Sequence, residues 1–252
     1  MKTISSFNSW IICPRPNSQA KLRLFCFHYA GGGAFAFHPW PNSLPSNVEI
    51  CAVTLPGREM RLMEAPFNNI QPLLKALEKA IFPYLDKPFA FFGHSMGALV
   101  SFELAQLLRQ NHGLSPLQLF VSGYHAPQVL DKDPPIHGLP ESEFLEELRS
   151  YNGTPEEVFN NTEFMELFLP TLRADFAILE NYIYSPHPPL NCPITALGGL
   201  QDKKCSLDDL EAWQEQTNNQ FSLRMFPGDH FFLNSYRDIL LDYLTQQLKQ
   251  II

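Results

Sequence analysis

FFGHSMGALVSFELA, residues 91–105, joins two structural patterns in one short stretch. The apolar run FAFFG (89–93) reads as a strand, and Leu99, Phe102, Leu104, Leu107 and Leu108 then recur at helical spacing. Between them, Gly93-His94-Ser95-Met96-Gly97 places a serine on a sharp passage from strand to helix. A serine on such a turn is held in strained backbone at the end of a sheet, and flanking glycines remove side chains that would collide. The N-terminus of the next helix lies beneath it and favours developing negative charge. A bare G-x-S-x-G is common by chance. Strand, turn and helix in order around it mark Ser95 as a nucleophile.

The same alternation recurs on both sides. LRLFCF (22–27), VEICAVTL (48–55), LQLFVSG (117–123), ITALGG (194–199) and FSLRMF (221–226) read as further strands. They are too continuously apolar to be half solvated, which suits a parallel sheet covered on both faces. Ile70, Leu73, Leu74, Leu77, Ile81 and Leu85 form a helical stripe, and a last amphipathic helix is expected over 236–248. Ser206 and Asp209 form a capping box opening a helix that contains Trp213. From 126 to 189 the strand signal stops. ESEFLEELRSY and TEFMELFLPTLRADFAILENYIY predict two or three helices there, a lid over the sheet's C-terminal edge with proline-rich ends. The expected architecture is α/β: the α/β-hydrolase fold, one domain over 1–252, a mostly parallel central sheet with helices on both faces, and a lid insertion at about 126–189.

Composition narrows the partners. The 252 residues are 45% apolar, enough for a sizeable core. Eighteen Lys and Arg against 26 Asp and Glu give a net charge of −8 without basic runs, which argues against nucleic acid and anionic membrane surfaces. Cys13, Cys26, Cys51, Cys192 and Cys205 are scattered without a CxxC pair, so neither a disulfide framework nor a metal site is expected. Cys26 and Cys51 lie in strand-like runs and read as buried, inert thiols. MKTISSFNSWIICPRPNS at the N-terminus lacks a sustained apolar h-region and a cleavage site, and no long apolar run follows. A cytoplasmic protein is expected.

A nucleophilic serine needs a base, and the base an orienting acid, in the order Ser, acid, His along this fold. His230, in FPGDHFFL, follows the last strand and precedes the final helix, where the base belongs. The other seven histidines, His28, His38, His94, His112, His125, His137 and His187, lie elsewhere in that order. Asp202, in GGLQDKKCS, follows the strand 194–199 and is the expected acid; Asp131 and Asp133, after the preceding strand, are the runners-up. Met96 supplies one oxyanion donor through its backbone N–H. The second is expected from FHYAGGGAFAF (27–37), at Ala30 or, one residue earlier, Tyr29. This loop is no P-loop, since no Lys-Ser or Lys-Thr follows, and Ala36 stands where a dinucleotide fingerprint has its third glycine.

Together these blocks resemble the stand-alone type II thioesterases of non-ribosomal peptide and polyketide synthesis, as used in antibiotic biosynthesis. LFCFHYAGGGA, LPGREMRL, FGHSMGALVSFELA, FLPTLRADF, CPITALGGLQD and FPGDHFFL are similar to six ordered family blocks covering nearly the whole chain. The resemblance implies a hydrolase that clears acyl groups from the phosphopantetheine arm of carrier proteins, with Ser95, Asp202 and His230 as its triad. It implies a monomer that needs no cofactor, because the carrier brings the phosphopantetheine. Medium-chain acyl-carrier or acyl-CoA thioesterase, carboxylesterase, acyltransferase and a non-catalytic hydrolase-like binding protein are the rival readings. His28 stands where the family usually has proline, and is expected to be a packing variant. Glu59 and Met60 replace the glycine and acidic residue that often follow the arginine; an ion pair is expected of Arg58. Arg173 and Asp175 are expected to fasten the lid helix, whose aromatics Phe144, Phe159, Phe164, Phe168 and Phe176 either pack or line an acyl pocket.

Overall fold

The computed structural model describes residues 9–151, 153 and 156–252. The N-terminal stretch read above for a leader falls partly outside these, over 1–8. The strands are β1 (Ile11–Ile12), β2 (Leu22–Phe27), β3 (Val48–Val53), β4 (Phe89–His94), β5 (Leu119–Ser122), β6 (Ile194–Gly199) and β7 (Phe221–Phe226). The helices are α1 (Ile70–Ile81), α2 (Met96–His112), α3 (Glu141–Ser150), α4 (Glu156–Phe159), α5 (Thr162–Glu180), α6 (Leu207–Glu211), α7 (Phe232–Ser235) and α8 (Arg237–Gln250). All expected strands form, and α3 to α5 fill the insertion between β5 and β6.

The sheet runs β1-β3-β2-β4-β5-β6-β7, parallel except for β1, which pairs antiparallel with β3. Edge strand β1 is two residues long, too short to leave a periodic signal, and the sequence reading missed it. Chain order reverses at β2, which lies between β3 and β4. Loops leaving neighbouring strands at such a point diverge and open a crevice at the carboxyl ends. The loop after β2 therefore faces the turn after β4. Ends differ modestly from expectation: Pro83 turns the end of the first helix into a 3-10 turn, and Trp213 sits in a 3-10 segment following α6.

Two apolar layers cover the sheet. Leu73, Leu77, Leu99, Phe102 and Trp213 bury one face, while Phe37, Trp40, Leu240, Leu244 and Leu248 bury the other. The middle strands β3 and β4 are buried at every position, which explains their lack of alternation. The inserted helices have their own cluster of Phe144, Leu148, Phe159, Met165, Leu169, Leu172 and Phe176.

Candidate active site

Ser95 stands at the break between β4 and α2 with φ 53° and ψ −118°. A non-glycine residue at positive φ is uncommon and stores strain that the surroundings must hold. Here its N–H donates to Ser122 O at 2.7 Å, tying the turn to β5. A Cβ on Gly93 would stand 2.0 Å from Gly97 O, and one on Gly97 would stand 2.1 Å from Phe27 O. Both glycines of the motif are thus imposed by backbone, which cannot yield as a side chain can.

Asp202 follows β6 and His230 follows β7, on adjacent strands. His230 Nδ1 lies 2.8 Å from Asp202 Oδ2, with the two side chains 8% and 0% exposed. The other carboxylate oxygen, Oδ1, accepts the Lys204 N–H at 2.8 Å, so the aspartate is held from both sides. Asp131 and Asp133 are engaged elsewhere: Asp133 Oδ2 takes Lys204 Nζ at 2.6 Å, and Asp131 Oδ1 accepts the Asp133 N–H. Two further histidines meet carboxylates, His112 with Glu78 and His137 with Glu180, but neither ring lines the cavity that holds Ser95. His94 donates to or accepts from Ser122 Oγ through Nδ1 at 2.8 Å, and its ring centroid is 5.1 Å from that of His230. Burial, and then the neighbouring His230, push the His94 pKa well below its ordinary value.

Ser95, His230 and Ala30 line one cavity of about 270 Å³. Its apolar wall comes from the inserted helices, through Leu148, Val158, Phe164, Phe168, Leu172 and Phe176. Its polar end carries His125, Asp131, Asp133, Glu180 and Lys204. Of the five aromatics singled out in the sequence, three face this space, while Phe144 and Phe159 are buried in the packing of the insertion. In the glycine loop, the Gly31 N–H is taken by Asp175 Oδ2 and the Gly32 N–H by Tyr29 O, each a short bond of 2.8 to 2.9 Å. Tyr29 and Ala30, the two residues expected to supply the loop amide, both line the cavity with Ser95. Met96 is the first residue of α2, where N–H groups have no partner within the helix.

Arg58 makes a bidentate pair with Asp175, at 2.8 Å for each contact. Arg173 caps the insertion differently, donating to His137 O at 2.7 Å and stacking over Phe144. Glu59 has φ 51°, which a glycine would adopt freely, and its Oε1 accepts the Phe35 N–H that opens the 3-10 turn at Ala34–Phe37. No local pattern signals that Gly31, Arg58 and Asp175 meet; the arginine and the aspartate lie 117 positions apart. His28 is buried, with Nδ1 on Tyr29 O at 2.8 Å and Nε2 without a partner; burial first, and then Arg58, push its pKa down to about 3. Among the described residues no cluster of three or more His, Cys, Asp or Glu is placed to hold a metal, and no helix is long and apolar enough to cross a membrane.

The thioesterase domain model matches residues 22–248. The gramicidin S biosynthesis protein GrsT of Aneurinibacillus migulanus is 47% identical over 252 residues, spanning 100% of this chain and 98% of its own length. The protein named linear gramicidin dehydrogenase LgrE, of Brevibacillus parabrevis, is 44% identical over 254 residues, covering 100% and 97%. Among solved structures, the type II thioesterase BorB from the borrelidin biosynthetic cluster superposes with a TM-score of 0.87 at 37% identity, covering 95% of this chain and 97% of its own. The strained serine turn, the buried Asp-His pair and these likenesses agree: the chain belongs to the thioesterase family, as a hydrolase of the α/β-hydrolase fold acting on thioesters.

Proposed function

We propose that this protein hydrolyses acyl groups from the phosphopantetheine arm of carrier proteins in a peptide or polyketide synthase, by serine covalent catalysis. The observation that carries the reading is the 2.8 Å His230–Asp202 pair, whose histidine lines one cavity with a serine held at positive φ. Ser95 Oγ attacks the thioester carbonyl while His230 Nε2 takes its proton. Asp202 holds the imidazole with Nδ1 protonated and stabilises the imidazolium that forms. The Met96 and Ala30 N–H groups receive the oxyanion, a contribution worth about 10² to 10³ in turnover per donor in comparable sites. The pantetheine thiol leaves with a proton from His230, which then activates water to release the acid and regenerate the serine. The names of GrsT and BorB, a gramicidin S protein and a type II thioesterase, support the synthase context and an editing role. In this reading the enzyme is a cytoplasmic monomer without a cofactor of its own, folded as one domain with a lid.

The name of LgrE suggests hydride chemistry instead. Against it, the glycine loop runs into a four-residue 3-10 turn and not into the long helix whose N-terminus would take a pyrophosphate. An acyl-loaded carrier protein, acyl-CoA and a simple oxygen ester, assayed side by side, test the proposal. Thiol release from the carrier should dominate and fall by about 10³ or more in Ser95→Ala. Thioester cleavage that survives Ser95→Ala would sink the mechanism. Preference for the oxygen ester would sink the substrate class.

A further inference from the structure

Three segments far apart in the chain meet at one buried carboxylate. Arg58 Nη2 and Nη1 donate to Asp175 Oδ1 and Oδ2, both at 2.8 Å. The Gly31 N–H donates to the same Oδ2 at 2.8 Å, and Arg58 Nη1 also reaches Gly32 O at 3.0 Å. The arginine and aspartate side chains are 5% and 1% exposed. Helix α5 presents one face to this junction, since Phe168, Thr171, Leu172 and Asp175 recur three or four residues apart. Thr171 Oγ1 donates to Gly57 O at 2.8 Å, and Leu172 and Phe168 leave no space for a Cβ at Gly31, whose φ is +73°.

The consequence falls on Ala30, which lies between two fixed peptide planes. In the plane before it, Tyr29 O accepts the Gly32 N–H at 2.9 Å, and a trans peptide turns the Ala30 N–H away from that carbonyl. In the plane after it, the Gly31 N–H is held by Asp175. The Ala30 N–H belongs to the first plane, and that plane is held by the Gly32 N–H closing on Tyr29 O; Asp175 on the Gly31 N–H and Arg58 on Gly32 O keep the closing residues in place. We propose that Asp175 is a positioning residue for the reaction: through Gly31 and through Arg58 on Gly32 O it holds closed the turn whose first plane presents the Ala30 amide to the oxyanion. This rests on the serine mechanism above.

An acyl trifluoromethyl ketone thioether tests it. Ser95 Oγ adds to the ketone carbon, the C=O electron pair becomes an oxyanion in the hole, and the serine proton passes to His230. The free acid product, which carries no tetrahedral oxyanion, reports the pocket alone. In Asp175→Asn, kcat on acyl-CoA should fall about 10²-fold with KM within about threefold, and ketone affinity should fall at least about tenfold with product affinity kept. The paired Arg58→Met/Asp175→Leu variant leaves no lone buried charge, so it keeps the measurement open if the single variant does not fold. It should show the same selective loss. Thr171→Val weakens the α5 contact alone, and should lower stability without changing the ratio of ketone to product affinity. Equal losses of ketone and product affinity, or no loss in folded variants, overturn the positioning role. A wild type that forms no ketone adduct overturns the serine reading itself, and the role with it.

A second inference stands on separate atoms. Cys13 Sγ and Cys51 Sγ are 3.6 Å apart across β1 and β3. Ile11 opposes Val53 and Ile12 opposes Ala52, so Cys13 opposes Cys51 one step beyond, where Pro14 lacks the N–H to continue the ladder. The Thr54 N–H donates to Trp10 O at 2.8 Å, which makes Ile11 and Val53 a non-hydrogen-bonded pair. Alternation gives Cys13 and Cys51 the same kind of position, where opposed Cα atoms approach to about 4.5 Å, inside the range a disulfide spans. Cys13 is partly exposed and Cys51 buried. The hydrogen bond from Cys51 lowers the Cys13 pKa against burial and Glu49, with help from Arg23, while burial raises that of Cys51. The geometry points to a reversible Cys13–Cys51 disulfide formed under peroxide. The Cys13 thiolate cleaves the peroxide O–O bond, giving sulfenic acid and one water; the Cys51 thiol then displaces a second water as the S–S bond forms.

Limiting hydrogen peroxide should lower the intact mass by about 2 Da, reversibly with dithiothreitol, and peptide mapping should give the 13–51 link. Cys13→Ser and Cys51→Ser should each abolish the loss. A mass gain of about 16 or 32 Da at Cys13 with Cys51 still alkylatable, a link between other cysteines, or no change overturns it.

Discussion

A buried imidazole resists a proton, and this protein holds two next to its site; at His28 burial and Arg58 outweigh the pull of Asp175. His94 touches His230 and Ser122, and His28 has one nitrogen on Tyr29 O with the other unpartnered. Both stay neutral when folded and would be protonated once unfolded, near the ordinary histidine pKa of about 6.5. Because the unfolded chain then binds more protons, stability falls as pH drops from about 6.5 towards 3, the folded value for His28. For His28 alone the loss between pH 7 and 5 is about 2 kcal/mol. Urea unfolding at the two pH values should show that much less acid loss in His28→Pro than in wild type, with activity retained. A folded His28→Pro that is inactive would make His28 more than packing. At Asp202, the Asn substitution leaves the pocket shape but presents His230 with the wrong tautomer partner. Turnover should drop about 10⁴-fold with KM nearly unchanged, and an undiminished kcat would remove Asp202 from the mechanism.

At the scale of elements, what could be read from the sequence was what neighbouring residues dictate. Strand, glycine, serine, glycine and helix lie within 15 residues, and the clash distances explain why the motif takes that form. Gly97→Ala should therefore lower the denaturant midpoint by the equivalent of about 3 kcal/mol or more, because Phe27 O belongs to a central strand and cannot retreat. A stable, active Gly97→Ala would show the turn to be slack. The Asp202 and His230 positions were also legible, since each follows a strand recognisable by itself. Contacts made by the fold alone left no local trace. The meeting of Gly31, Arg58 and Asp175 depends on how α5 lands on two loops. The division of the aromatics, with Phe164, Phe168 and Phe176 on the cavity and Phe144 and Phe159 in packing, depends on how the inserted helices roll against each other. Strand β1 is held by Trp10, which covers Arg61 and accepts the Thr54 N–H, and not by any pattern of its own.

For the whole molecule, net charge decides how a macromolecular substrate can arrive. The chain carries −8, so an acidic carrier domain, in the proposed function, would meet it as a like-charged body. Two like-charged bodies repel at long range, so electrostatic steering cannot speed their encounter as it does for opposite charges. Salt shortens the reach of that repulsion to about 10 Å at 0.1 M. Under the proposed function, binding then rests on short-range contacts of the pantetheine arm with the cavity beside Ser95, and burial of apolar surface is insensitive to modest salt. With an acyl-loaded carrier, kcat/KM should accordingly stay level or rise as sodium chloride goes from about 20 to 200 mM, whereas a neutral acyl-pantetheine, having no charge to screen, should be unaffected. A steep fall with salt for the carrier alone would mean that a local basic surface captures it despite the overall charge.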